Sequence, residues 1–398
     1  MNIRQSSNDP STWLKQAQMV INIPDFYAYE DTLSVVGILS NSLVCCYVLT
    51  TEGQALTPSQ RLSWPRLEII NLPNLSFPKH AAQTVKRLAK GGGVDIIHDL
   101  FGHLSSFCEL KHKPDRPFIM IHTQRTTNWG WFSRVRPLHY QINLRYAGQR
   151  AKSLWYDTRI LHAVDHITVM GPGHELDLIE GHGIEGDKIS FIPSETDCDR
   201  FTSTDPTDKE NFLLYTGALV RAKGLDLLFD AFTILGRSYP QLKLMLIGRE
   251  TTFEKRWFRQ RVKHHPLKDR IEVLEFMPRE QLIQYYRRAK LYVFPSLFEG
   301  SPRSLREAIA CGTSAIASDI PGHRGIDPKG QFIRFVPVGD LETWVRLSKE
   351  ALEESVTNYQ ERTLVGINRL LEHHHPARVA DQWSQLYQKI AIQNNLTS

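Results

Sequence analysis

Two carboxylates eight residues apart, Glu299 and Glu307, stand in residues 291–319, which read LYVFPSLFEGSPRSLREAIACGTSAIASD. An apolar strand runs into Pro295 and Ser296, a loop carries Glu299 and Gly300, and the spacing predicts a helix opening at Ser301, Pro302 and Arg303. Ser301 suits the N-cap, Pro302 the first helical position, and Gly312 the C-terminal close. A helix start presents unpaired N–H groups and the positive end of the dipole, which favour a diphosphate or a sugar hydroxyl. Glu299 and Glu307 can each accept hydrogen bonds from hydroxyls, such as those of a sugar and a ribose. The alternative for an isolated pair is two solvated acids flanking a helix.

Such groups need a scaffold that delivers loops to one place. Apolar runs at 19–23, 43–49, 67–71, 94–98 and 118–122 read as strands, with a helical pattern at 79–88 among them. A second series follows at 212–216, 242–247, 271–274, 291–294 and 314–317, separated by helical patterns at 224–235, 279–289 and 304–311. This alternation predicts an α/β chain with two doubly wound parallel sheets, whose ligands bind beyond the carboxyl ends of the strands. The polar stretch 194–208 between the two series is the expected hinge. The expected division is 1–203, 204–375 and a terminal helix in 376–398, with Val379, Trp383, Leu386, Tyr387 and Ile390 at helical spacing.

Composition narrows the classes. The chain has 398 residues, is 41% hydrophobic and 23% charged, and carries a net charge of +5, which fits a two-domain globular protein and anionic small ligands better than nucleic acid. Cys45, Cys46, Cys108, Cys198 and Cys311 are scattered and odd in number, with neither zinc nor disulfide spacing, as a reducing cytoplasm permits. The polar N-terminus has no apolar leader, and no run approaches the roughly 18 apolar residues of a membrane span. A cytoplasmic protein is expected.

The segment around Glu299 and Glu307 resembles the E-x7-E motif of family four of the retaining glycosyltransferases, in the variant E-G-x-P-x-x-L-x-E-A followed by C-G-T-x-x-I-A-S-D. Residues 215–226, 273–278, 285–296 and 336–340 extend the likeness. The resemblance implies a GT-B architecture of two Rossmann-like domains facing a cleft. It also implies transfer, with retention, from a nucleotide diphosphate sugar to a saccharide, lipid-linked or other hydroxyl acceptor. Lys223 would supply charge to the diphosphate, with Gly217 in the same loop. Glu299 would hold the sugar, Glu307 the ribose, and the backbone at Phe276 and Met277 the base. The helix start at Gly300, Ser301, Pro302 and Arg303 would face the donor. Residues 118–123 look like the strand that brings a histidine, here His122, to the sugar. The co-substrate implied is a UDP-sugar, or else a GDP-sugar, with no metal and no further cofactor.

Three departures stand out. Ala218 occupies the place of an arginine that the family carries after the loop glycine, and Arg221 is the residue that could compensate. The glycine-rich loop after the first strand is replaced by Ile23, Pro24, Asp25, Phe26 and Tyr27, and the linker reads IPSETDCDRF at 192–201. An inactive nucleotide-sugar-binding or scaffold protein, and a sugar-nucleotide epimerase or hydrolase, therefore stay open. A dinucleotide oxidoreductase is disfavoured, since no G-x-G-x-x-G follows a first strand and Gly91, Gly92 and Gly93 precede one.

Other signals carry less. Asp197, Cys198 and Asp199 have D-x-D spacing but fall in the linker. His373, His374 and His375 read as an exposed surface tract. Residues 129–136 mix aromatics with arginines, as interfacial membrane segments do, so peripheral contact with the inner face of a membrane stays open. The basic stretch 255–268 reads as a solvated helix.

Overall fold

The computed structural model describes residues 10–23, 30–74, 77–90, 94–100, 118–124, 158–171, 173–204, 208–394 and 396. The segment 129–136 and most of the loop after the first strand lie outside them. The chain forms two compact units, Met1–Glu195 with Pro376–Ser398, and Thr196–His375.

In the first unit, β1 (Gln18–Asn22), β2 (Cys45–Thr51), β3 (Leu67–Leu72), β4 (Ile96–Asp99), β5 (Ile119–Gln124), β6 (His166–Val169) and β7 (Ile189–Phe191) build one sheet. Its order is β3-β2-β1-β4-β5-β6-β7, and every pairing is parallel. Period-2 alternation divides the central strands between two cores. Met19 and Ile21 face a cluster that includes Val36 and Leu39 of the helix Glu30–Ser40 and Trp383 and Tyr387 of the helix Pro376–Gln393. Val20, Ile97 and Ile167 face another, with Ala81 and Val85 of the helix Phe77–Lys90.

The second unit holds β8 (Glu210–Thr216), β9 (Lys243–Ile247), β10 (Ile271–Leu274), β11 (Ala289–Phe294), β12 (Ala315–Ser318) and β13 (Ile333–Val336) in the order β10-β9-β8-β11-β12-β13, again all parallel. Residues 212–215 of β8 and 291–294 of β11 are continuously apolar and buried because helices cover both faces of the sheet there. Leu225, Leu228 and Leu235 of the helix Leu225–Ser238 join Leu305 and Ala308 of the helix Arg303–Ala310 and Trp344 of the helix Leu341–Leu352 in one core.

β8 pairs with both β9 and β11, so strand order reverses about it. The loops after β8 and β11 leave the same end of the sheet as neighbours, which is where an open α/β sheet gathers ligand-binding residues.

Three local expectations are corrected. Pro302, not Ser301, is the N-cap of Arg303–Ala310, and no side chain caps it. The Ser301 hydroxyl instead accepts from the Arg306 guanidinium at 2.6 Å. The three histidines are not an exposed loop: the helix Val356–His373 runs into them, and His374 is 2% exposed with its N–H on the Leu370 carbonyl. The basic helix ends at Lys263, and a separate 3-10 turn spans Lys268–Arg270.

Candidate active site

The loop after β8 is pinned from two sides. Gly217 and Leu219 donate backbone N–H bonds to Ile247 and Arg249, both at 2.9 Å, and the Tyr215 hydroxyl donates to the Ala218 carbonyl at 2.8 Å. The loop then makes a 3-10 turn over Arg221–Lys223 and passes through Gly224 at φ 71°. Only glycine fits there, because a Cβ on Gly224 would stand 1.9 Å from the Pro295 carbonyl oxygen. Leu297 donates its N–H to the Ala222 carbonyl at 3.0 Å, so the β8 and β11 loops are joined edge to edge.

That junction brings Lys223 to Glu299. Lys223 Nζ stands 2.5 Å from Glu299 Oε1, which also accepts from the Ser296 hydroxyl at 2.8 Å. The side chains are 26% and 13% exposed, so the pair is open to a ligand while poorly screened by water. Among the described residues nothing bonds Glu299 Oε2, and Glu299 is the only hydrogen-bond partner of the Lys223 ammonium.

Glu307 occupies a separate setting on the buried face of Arg303–Ala310. The Arg279 guanidinium donates to its Oε1 from Nε at 3.0 Å and from a terminal nitrogen at 2.8 Å, and the Tyr286 hydroxyl donates to Oε2 at 3.0 Å. Burial pushes the Tyr286 phenol well above its usual range, with Glu307 adding to the effect, so it remains a donor. Tyr286 and Tyr292 also meet at Thr216 Oγ1, each at 2.9 Å, tying the carboxylate to the end of β8. Oε1 already accepts both guanidinium donors, so Oε2, with the phenol alone, is the oxygen that keeps a lone pair for a further donor.

The remaining expected residues are placed as follows. Arg221 is turned from Lys223 toward the next helix: its N–H donates to Glu254 at 2.7 Å, its guanidinium lies 4.7 Å from the Trp257 ring centre, and Nε is 3.7 Å from Asp226. Phe276 is 58% exposed beneath the Arg249 guanidinium, at 4.2 Å, while Met277 packs against the core. Arg249, Lys255, Arg259, Glu275 and Phe276 line a groove of about 590 Å³. Gly300 is buried, with its carbonyl 2.7 Å from where a Cβ on Gly322 would lie. Ser301 accepts from Arg306, Pro302 caps the helix, and Arg303 begins it.

In the first unit, His122 lies inside β5, two residues before its end, buried with both ring nitrogens engaged, Nδ1 at 3.2 Å from Asp99 and Nε2 at 2.7 Å from the Gln124 side-chain oxygen. His98 is held between Tyr387 at 2.7 Å and Thr123 at 2.8 Å. Asp197, of the D-x-D spacing, accepts from the Arg200 N–H at 3.1 Å, and Asp199 meets His375 at 3.1 Å.

Three residues escaped sequence reasoning. Arg279 opens its helix, where a cation opposes the dipole, and that misfit was the available signal that it serves an acid elsewhere. Tyr286 looks like any apolar-face aromatic. His323, in the short helix Pro321–Arg324 after β12, is fully buried; its Nδ1 donates to the Ser318 carbonyl at 2.7 Å, and Nε2 has no partner among the described residues. Burial pushes its pKa down to about 4, against the opposing effect of nearby Glu299.

Two parallel α/β units, with a Lys–Glu pair and a buried Glu at the ligand end of the second, give this chain the GT-B fold. Residues 199–364, most of the second unit, match the family model for Glycosyl transferases group 1. Mannosylfructose-phosphate synthase of Agrobacterium fabrum is 29% identical over 157 residues, 35% of this chain and 35% of that protein. Sucrose-phosphate synthase from Thermosynechococcus elongatus superposes with a TM-score of 0.75 at 19% identity, over 95% of this chain and all of that one. Anabaena HepE, solved with UDP and glucose, gives 0.66 at 14% identity, over 93% and 99%. The matches to the first three curated relatives span 35% to 58% of those proteins' own lengths.

Proposed function

We propose that the protein is a retaining glycosyltransferase that moves a sugar from a nucleotide diphosphate sugar to a saccharide or lipid-linked hydroxyl. The observation that carries this reading is the Lys223–Glu299 pair at the β8–β11 switch point, within the segment that matches the family. A donor would exchange partners in this pair. Its diphosphate takes the Lys223 ammonium, and the freed Glu299 carboxylate accepts hydroxyls of the sugar. Transition-state stabilisation then comes mainly from Lys223, whose charge meets the negative charge growing on the departing diphosphate in a half-buried setting. Loss of the diphosphate leaves an electron-poor sugar carbon. The acceptor hydroxyl attacks from the same face, giving its proton to a diphosphate oxygen, so configuration is retained without a protein nucleophile.

On this reading Glu307 takes a ribose hydroxyl with the remaining lone pair of Oε2, and the base lies by Phe276 and Met277. Arg221 would have to leave Trp257 to assist. His122 is the first unit's candidate for the sugar. UDP is the favoured nucleotide, supported by the UDP and glucose named for HepE, and GDP is the alternative. A binding protein without turnover is the second reading. It is favoured by Ala218, whose methyl supplies no charge to the phosphate loop, and by the engagement of Arg221 elsewhere.

The test is incubation with UDP- and GDP-sugars and a panel of saccharide and polyprenyl-linked acceptors, with the product anomer read by NMR. A product of retained configuration is expected. Sugar release without acceptor would indicate a hydrolase, and binding without product would leave the second reading standing.

A further inference from the structure

The helix Lys255–Lys263, KRWFRQRVK, contains five cations and no acid. Residues 249–270 hold eight Lys and Arg against three Asp and Glu, a net charge equal to the +5 of the whole chain. The fold uses one side of this helix. Phe258 is 1% exposed and packs tilted against Phe229, ring centres 6.1 Å apart, while Arg261 pairs with Asp226 at 3.2 Å and Asp230 at 2.7 Å. Arg256, Arg259 and Lys263 recur at helical spacing on the opposite, exposed side. Glu250 partly neutralises this side through Arg259 at 2.9 Å and Lys255 at 3.5 Å. Arg256 and Lys263 have no ion-pair partner among the described residues.

Helix stability does not explain these charges. Lys255 and Arg256 sit in the first turn, where cations oppose the dipole. Nor does the core explain Phe253, two residues before the helix, which is 90% exposed, the highest value among the described large hydrophobic residues. The nearest acid in sequence, Glu254, is turned inward to the Arg221 N–H. An uncovered aromatic beside a face of net positive charge is the combination that an anionic bilayer surface recognises: lipid headgroups attract the cations, and the ring enters the interface. Charge complementarity alone would also suit a polyanion, but a polyanion gives the Phe253 ring no reason to be exposed.

We propose that the face formed by Phe253, Arg256, Arg259 and Lys263 docks the second unit on an anionic lipid surface. This goes beyond sugar transfer and does not depend on it. No described helix is long and apolar enough to cross a membrane, so the attachment would be peripheral.

The test is co-sedimentation of the full chain with vesicles of phosphatidylcholine alone and of phosphatidylcholine mixed with phosphatidylglycerol. Binding is expected only to the mixed vesicles, and it should fall as salt rises. Each cation near such a surface strengthens binding about fivefold, so the double variant Arg256→Glu, Lys263→Glu should bind at least ~25-fold more weakly. Phe253→Ser should weaken binding severalfold at every salt concentration. If the double variant proves unstable, Phe253→Ser alone decides, since its side chain packs on nothing that holds the fold. The proposal is overturned if wild-type protein ignores the mixed vesicles, or if both variants bind them as wild type does. It is equally overturned if the protein is retained on heparin independently of Phe253 while failing to bind vesicles, which would make the face a polyanion site.

Discussion

Replacing Glu307 with alanine tests whether its carboxylate is the buried anchor of the second unit's site. The Glu307 and Arg279 side chains are 4% and 13% exposed, with two guanidinium contacts at 3.0 and 2.8 Å. Truncation removes a carboxylate that takes two bonds from the Arg279 guanidinium, which lies beside the Phe201 ring at 4.8 Å. Removing one partner of such a pair costs about 3–5 kcal/mol. For a unit of this size each kcal/mol shifts Tm by about 2–4 °C, so a fall of roughly 10 °C in the transition of the second unit is expected. Glu307→Gln keeps the shape and one acceptor for Arg279 and should lose about 1–2 kcal/mol. Differential scanning calorimetry reads both. The reasoning fails if Glu307→Ala melts within a degree of wild type, or if the alanine and glutamine variants are equally stable. In the double-mutant cycle Arg279→Ala, Glu307→Ala, the two losses should fall short of additivity by about 1–3 kcal/mol, as contacting residues do.

Gly224→Ala should cost about 2–4 kcal/mol in urea unfolding, because it combines a left-handed φ of 71° with a Cβ driven against the Pro295 carbonyl. An unchanged midpoint would show that the β8 and β11 loops are not locked together. His323 carries a pH prediction. Its folded pKa, about 4, lies below its ordinary 6.5, so the stability it contributes is complete above about pH 6.5 and is lost as pH falls toward 4. Over that window about 3 kcal/mol should disappear. Buried His166, also lowered to about 4, acts in the same sense. His323→Asn should flatten the profile in proportion, and an equally steep loss in the variant would assign the acid sensitivity elsewhere.

Much of the second unit was readable because its central strands are buried on both faces and stand out as apolar runs, although β10, at the sheet edge, is partly exposed. The run 271–274 coincides with β10, and 212–216, 242–247 and 291–294 each fall within a residue or two of β8, β9 and β11. The E-x7-E spacing was readable for a different reason: with its flanking residues it resembles the motif of a known family. What spacing could not show is which partner each acid takes. Glu299 meets Lys223 and Glu307 meets Arg279, across 76 and 28 residues, and only the strand order brings them together. The helices Glu30–Ser40, Leu341–Leu352 and Val356–His373 went unassigned, the last because exposed Val356, Leu364, Val365 and Leu371 blur its amphipathic period. The Ser301 N-cap was a sound local inference that a longer-range fact defeated. Arg306, reaching Thr196 at 2.7 Å and both the carbonyl and hydroxyl of Ser301, has a stronger claim on that hydroxyl.

The central claim is that Lys223 and Glu299 part to receive a nucleotide diphosphate. Titration calorimetry of wild type, Lys223→Ala and Glu307→Gln against UDP, GDP and ADP addresses it most directly. Wild type should bind one of these nucleotides in preference. Both variants should bind it about 10- to 100-fold more weakly, the loss expected when a charge-assisted hydrogen bond is removed. A folded wild-type protein that binds none of the three, or a Lys223→Ala variant that binds as tightly as wild type, would contradict the account.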